Sequence, residues 1–288
     1  MRLSSALVVA VLTVCGGAPR AQTAAAADVL DNAAAYVRQF VKTFANVVAE
    51  ERYTQRSQGV PHTVGSGFDA HFVEGVPTRE VELLSDFLMV RADERSDYVA
   101  FRDVASVNGK PVRDRVSRLA NLLIHPSPET VEQARRLSAE GARYDLTGRD
   151  SMVNNPLVAL GLLQDRYRPR FRFTVRDVDK SVGPDVRIIQ FREEARPTVL
   201  RQDARDAPSS GRIWVEGITG RIVKTELVVS ANRVTTAFRF DDRFQINVPV
   251  TMNDLLQYRD GAVFGTATYG RFRRFDVKTD EELERLIR

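Results

Sequence analysis

The chain has 288 residues, 43% of them hydrophobic, and 42 Lys and Arg against 38 Asp and Glu give it a net charge of +4. That is apolar mass enough to bury a full core, as one large domain or two small ones, so disorder is not the default. A single cysteine excludes a disulfide framework, and basic residues that alternate with acids rather than clustering give no support to a nucleic-acid partner.

The opening "MRLSSALVVAVLTVCGG" has a positive start at Arg2, an apolar run from Ala6 to Cys15 and small residues from Ala21 to Ala27. This is the pattern of a secretory signal peptide, too short to span a membrane. Ala24-Ala25-Ala26 offers the cleavage site, with Ala21 as an alternative, so residues 1–26 are assigned to the signal and 27–288 to a single domain. "LTVC" approximates a lipobox, but Val14 stands where Gly, Ala or Ser is normal. Cys15 therefore reads as an apolar residue of the discarded peptide, and lipid anchoring is not expected. Loss of Arg2 and Arg20 lowers the charge from +4 to +2. No later stretch reaches the roughly 18 apolar residues of a membrane span, so the mature protein is expected to be soluble, in the periplasm or outside the cell.

From Asp28 to Val48 the apolar positions Leu30, Val37, Phe40, Val41, Phe44, Val47 and Val48 predict one long amphipathic helix with Asp28 as its N-cap. "ERYTQRS" predicts a short strand, and Gly59 to Pro77, rich in Gly and Pro, a flexible loop. "REVELLSDFLMVR" and "DYVAFRDVASV" predict strands covered on both sides, the second followed by the Asn108-Gly109 hairpin signal. Helices follow at Val116–Leu123, from Ser127-Pro128 to about Gly141, and over "NPLVALGLL", which is apolar all round and should be buried. From Arg170 onward the chain reads as strands: "RFRFTVR", "VRIIQF", "TVL", the hairpin "GRIWVEGITGRIVKTEL", "RVTTAFRF", "FQINVPV" and, after a polar-apolar stretch "TMNDLLQY", "AVFGTATYGRFRRFDV", where Gly270 marks a bulge. With no βαβ rhythm, the pattern predicts an α+β fold: one strongly curved antiparallel sheet with an N-terminal helix and a helical insertion packed against it.

Chemistry is sparse. His62 and His71 lie nine apart in the Gly-rich loop and His125 precedes Pro126, so none has metal-ligand spacing. "GSG" at 65–67 is not a nucleophile elbow, which leaves only a weak hydrolase constellation of Ser66 with His62 or His71. The pairs Glu50-Glu51, Glu193-Glu194 and Asp241-Asp242 point their members to opposite faces of a strand and read as strand ends or solvated turns. "GRFRRF", with Phe272 and Phe275, reads as an alternating strand rather than a single-strand nucleic-acid platform. No catalytic residue, metal or cofactor is assigned.

The stretches "LLSDFLMVR", "DYVAFRDVASVNGKPVRDR", "RPTVLR", "GRIWVEGITGRIVKTEL" and "ATYGRFRRFDV" resemble a family of uncharacterised secreted proteins common in acidobacteria, from about Val37 to Val277. That resemblance implies a fold and no activity. The hairpin "IWVEGITGRIVKTEL" also resembles a strand-turn-strand segment of the periplasmic LolA and RseB/MucB group, in which an open half-barrel cradles helices and an apolar groove receives acyl chains or a peptide. Glu216 stands where that group often has Asp, and no carrier-specific arginine can be placed, so lipoprotein transport is not implied.

This resemblance implies a non-enzymatic binding protein with a lipid, lipoprotein tail or apolar peptide in the half-barrel. Phe87, Phe101, Phe173, Phe191, Ile213, Val215, Phe238 and Phe240 are the ligand-lining candidates. The alternatives are an envelope partner-binding or sensing protein with a filled core and, third, a secreted hydrolase. In the hairpin, Ile218-Thr219 at the tip sets Trp214 opposite Val223 and Arg212 opposite Thr225. Trp214 is then expected to cover the outer or rim face, partly exposed to solvent, while Ile213 and Val215 face any groove.

Overall fold

A computed structural model describes residues 26–45, 47–59, 62–64, 66, 71–73, 77–90, 98–112, 128–146, 153–202, 205–258 and 261–274. Residues 1–25 of the expected signal peptide, with Cys15, the helix expected at 116–123 and His125 lie outside these residues. Helix α1 is Ala26–Phe44, with Val29, Ala33, Tyr36, Val37, Phe40, Val41 and Phe44 buried along one face. Asp28 lies inside its first turn rather than at the N-cap, and Lys42 in its last, each complementing the helix dipole. The helix ends before Val47-Val48. Those β-branched residues open strand β1, Val47–Gly59, where they pair with Arg274 and Arg273 on one side and Val48 with Leu88 on the other.

The expected short strand is thus thirteen residues long and central. Next come a small hairpin, β2 (His62–Val64) with β3 (His71–Val73), in the segment read as loop, then β4 (Glu80–Val90), β5 (Val99–Val107) and β6 (Lys110–Pro111). Asn108 and Gly109 turn β5 into β6 with φ of 49° and 74°, the left-handed pair a type I′ turn requires. Residues 85–90 of β4 are all buried, so this strand is covered on both faces, as its mixed pattern predicts.

The helical insertion contributes α2 (Pro128–Gly141) and α3 (Val158–Gly161). Expected as a full helix, "NPLVALGLL" has only that one turn of α-helix, set among tight turns, but Leu157, Leu160, Leu162 and Leu163 are buried. The remaining strands are β7 (Phe171–Val178), β8 (Val186–Glu193), the short pair β9 (Arg201–Gln202) and β10 (Arg205–Asp206), β11 (Ser209–Glu216), β12 (Ile222–Val229), β13 (Asn232–Asp241), β14 (Ile246–Tyr258) and β15 (Gly261–Arg274). "TVL" is not a strand but a bend, held by the buried Glu193 carboxylate, which accepts from Val199 N at 2.6 Å and Ser209 N at 3.1 Å. "FQINVPV" and "TMNDLLQY" merge into β14, continuous through a bulge between its pairings with Ala237 and Phe238. The bulge expected at Gly270 falls just after it, where Arg271 takes φ 44°.

Eleven strands form one antiparallel sheet in the order β6-β5-β4-β1-β15-β14-β13-β12-β11-β8-β7. Its edges, β6 and β7, do not pair, so the α+β architecture is an open half-barrel, with α1 on the concave face. Tyr36, Phe40, Phe44, Phe87 and Tyr269 form a column of rings with centroids 5.0 to 6.4 Å apart from α1 to the sheet. Asn32 Nδ2 donates to Gly217 O at 3.0 Å. A Cβ on Gly220 would lie 2.1 Å from Asn32 O, and its φ of 71° already favours glycine, so the "EGITG" tip is shaped to receive the helix.

The β11–β12 hairpin departs from the expected register. Val215 faces Ile222, but Val223 is an extra residue, and beyond it Trp214 faces Lys224, Ile213 faces Thr225 and Arg212 faces Glu226. Strict alternation would set Ile222 against Leu227 and Val229 on opposite faces. The bulge brings all three inward and turns Lys224 and Glu226 out. Trp214 lies on the outer face yet is only 4% exposed. Its indole N–H donates to Asp179 at 3.0 Å, and the Arg212 and Lys224 cations lie 5.0 and 4.7 Å from its ring centroid. The expected solvent exposure is corrected: the cations and the β7–β8 turn cover the ring.

Candidate functional site

The concave face has two chemistries. Beneath α1 it is apolar and filled. Along β1 it is polar, because the inward alternation runs Ala49, Glu51, Tyr53, Gln55, Ser57, all buried. These side chains meet the helical insertion. Gln55 accepts from Leu146 N at 3.0 Å and donates to Tyr53 Oη at 3.0 Å. Arg102 on β5 holds Glu51 with two hydrogen bonds of 2.6 and 3.0 Å and donates to Asn154 O at 2.9 Å. Its guanidinium stacks 4.8 Å from the Tyr53 ring centroid. Asn154 donates to Asp145 and Asn155 to Ala100 O, both at 2.9 Å. Of the pairs read as strand ends or solvated turns, Glu193-Glu194 does fall at the end of β8, but Glu50-Glu51 lies inside β1, and Glu51 and Glu193 are buried and bonded, with Glu193 holding the 198–209 bend.

Burial opposes charge on Arg102, but the adjacent Glu51 carboxylate holds its pKa well above the ordinary arginine value. Tyr269 donates to Glu51 at 2.8 Å, and burial, then that carboxylate, raises its pKa well above the usual phenol range. Asp254 is pushed up to about 7 by burial, against the hydrogen bond it accepts from Tyr53 at 2.8 Å. Its Oδ1 is buried without a partner, and Gly265 gives it room: a Cβ there would lie 2.4 Å from the carboxylate.

Where the insertion meets β5, a cavity of about 610 Å³ opens. On α2, Glu132, Arg135, Arg136 and Ala139 repeat at i, i+3, i+4 and i+7 and form one wall, while Ala134 and Leu137 bury on the other side of the helix. The rest of the lining includes Tyr98, Leu157, Val158, Gly161, Leu162, Tyr167, Val199 and Leu200, together with Arg102 and Asn154. Within "NPLVALGLL", Gly161 approaches the Tyr98 hydroxyl so closely that a Cβ would lie 3.1 Å from it.

Of the eight aromatic and aliphatic residues expected to line a ligand site, Phe87 and Phe101 border this cavity. Phe173 and Phe191 pack with Phe171 at the β7 end, where Phe171 lies 6.0 Å from each. Ile213, Val215 and Phe238 are in the core cluster, and Phe240 lies half-buried beneath Arg221, 4.3 Å from its ring centroid. The structure thus does not bring the eight together. Sequence reading missed Arg102, Glu51, Tyr98 and the α2 face. The inward parity of "AEERYTQRSQ" was the available signal for Glu51, and the i, i+3, i+4 repeat was that for α2. His62 and His71 lie on paired strands, with His62 opposite Val73 and Val64 opposite His71, and Ser66 is exposed. Among the described residues, no group of three or more His, Cys, Asp or Glu could hold a metal ion, and no helix is long and apolar enough to cross a membrane.

No protein-family model matches the sequence, and no curated protein does. Among solved structures, the chain is similar to a DUF1329 family protein from Desulfovibrio piger, at 8% identity and a TM-score of 0.38, covering 91% of this chain and 99% of that one. It is also similar to a domain from Vibrio parahaemolyticus assigned to outer membrane lipoprotein sorting, at 11% identity and a TM-score of 0.33, covering 89% of this chain and 100% of that one. Both likenesses span nearly the whole chain but superpose loosely, so function is read from the cavity.

Proposed function

We propose that the protein is a non-catalytic binding protein of the periplasm or extracellular space that holds the apolar part of a lipid, a lipoprotein tail or an apolar peptide segment. The observation that carries this reading is the 610 Å³ cavity between α2, β5 and the "NPLVALGLL" turns. Its volume falls in the ~300–1,000 Å³ range of small-molecule sites, and an apolar wall with a few convergent polar groups is how such sites bind. The ligand site is placed here rather than on the Ile213 and Val215 face, because α1 already fills that face. Phe87 and Phe101 keep their proposed lining role; the other six serve the core and the sheet.

Native mass spectrometry of protein purified from its own envelope tests the proposal. Co-purifying lipid or peptide that is absent from a Gly161→Leu variant, in which the new side chain crowds Tyr98 at the cavity lining, supports it. A ligand-free protein that also takes up no fluorescent fatty acid removes it.

A further inference from the structure

We infer that the cavity selects a single-chain amphiphile with an anionic head, the acyl chain lying against the leucine wall and the head against the arginines of α2. The inference rests on the cavity being the ligand site. The two walls differ in kind. One carries Tyr98, Leu157, Val158, Leu162, Val199 and Leu200; the other carries Glu132, Arg135 and Arg136 on successive turns of α2.

The charges on the α2 wall are unequal. Glu132 is paired with Arg135 at 3.7 Å, so the two largely cancel. Arg136 has no side-chain hydrogen bond or ion pair among the described residues and is exposed at the cavity wall. The third arginine bordering the cavity, Arg102, is neutralised by its bidentate grip on Glu51. Among the described residues, Arg136 therefore stands as the cation of this wall without a paired acid, next to Arg135 in sequence. Ser138, on the same helix, and Gln164 add polar groups to the lining. A wholly apolar ligand would leave Arg136 without a counter-charge, and a zwitterionic head would set a cation beside it. An anionic head satisfies it with charge-assisted hydrogen bonds.

The full chain is titrated with cis-parinaric acid and with its neutral methyl ester, followed by the fluorescence of the bound polyene. Three proteins are compared: the native chain, R135Q/R136Q, whose changes lie at exposed positions, and Ala139→Trp, which fills the cavity from an exposed wall position. The native protein is expected to bind the acid roughly tenfold more tightly than the ester, a preference that shrinks as salt rises. R135Q/R136Q should bind both alike, and A139W neither. Equal binding of acid and ester by the native chain, or an acid preference that survives R135Q/R136Q, overturns the anionic-head inference while leaving the cavity as the site. Binding unchanged in A139W, or absent from the native protein, overturns the site and the inference together. Competition then separates the sources of the anion: displacement by oleate marks a carboxylate head, displacement by lysophosphatidic acid a phosphate head, and displacement by neither sinks the proposal.

Discussion

The two parts of the concave face obey different rules although one sheet supplies both. Under α1, the rings of Phe40, Phe44 and Phe87 pack one on the next, with centroids 5.0 and 6.4 Å apart. Under the helical insertion, β1 and β5 present Glu51, Gln55 and Arg102, and the insertion is strapped down by directional bonds to Leu146 and Asn154. Close packing forbids voids because every missing contact costs dispersion energy. A hydrogen-bonded strap tolerates a void beside it, because its bonds fix position without filling volume. The cavity lies where the fold changes from the first kind of attachment to the second.

The comparison breaks most visibly at Phe40. Phe40→Ala should destabilise the protein by about 3–5 kcal/mol in urea unfolding, because the stacked column cannot collapse into the gap. Arg102→Ala, on the polar side, should cost about 3 kcal/mol by leaving Glu51 buried with Tyr269 as its remaining partner. Unlike Phe40→Ala, it should loosen the insertion first, read as faster hydrogen exchange at Leu157–Leu163 than in the sheet.

Asp254 sharpens the contrast through pH. Burial raises its folded pKa above the unfolded value, so its contribution to stability is fully present below about 4 and is lost as pH rises through about 7. Native stability should fall by roughly 2–3 kcal/mol from pH 5 to pH 8 on this account. The groups acting on Asp254 are Tyr53, Arg102, Asp145 and Glu51. Asp254→Asn should flatten the profile, and an unchanged profile would assign the pH dependence elsewhere. Gln55→Ala should cost about 1–2 kcal/mol, the penalty of leaving Leu146 N without its acceptor. The smallest effect is spectral: Trp214, buried under two cations on the outer face, should resist acrylamide quenching and not respond to ligand in the cavity. Ready quenching would return the ring to the solvent-exposed position that strict alternation gives it.

The strands were legible because alternation and turn signals such as Asn108-Gly109 are local. The bulges at Val223 and Arg271 were less so: a bulge is an exception to alternation, and only Gly270 advertised one. Of the site, little was legible. A search for apolar lining residues passes over Glu51, since a buried acid is tolerable only with a partner, and that partner, Arg102, lies fifty-one residues away in sequence. Ile213 and Val215 were read correctly as inward, but what fills the space above them is α1, and a strand pattern does not say whether a concave face is empty or occupied.

The pairing of β1 with β15 has a consequence for how the chain is made. The first long strand finds one of its two neighbours among the last residues described, so the sheet has a gap at its middle until the C-terminal strand is delivered. Until then, β1 with β4–β6 and β14 with β7, β8 and β11–β13 are two half-sheets, each with a raw edge open to wrong partners. Assembly by such distant pairing is slow. A chain of this design cannot join its two half-sheets until Gly261–Arg274 are in place, and a stop before Gly261 would leave a sheet divided at its middle rather than a shortened one.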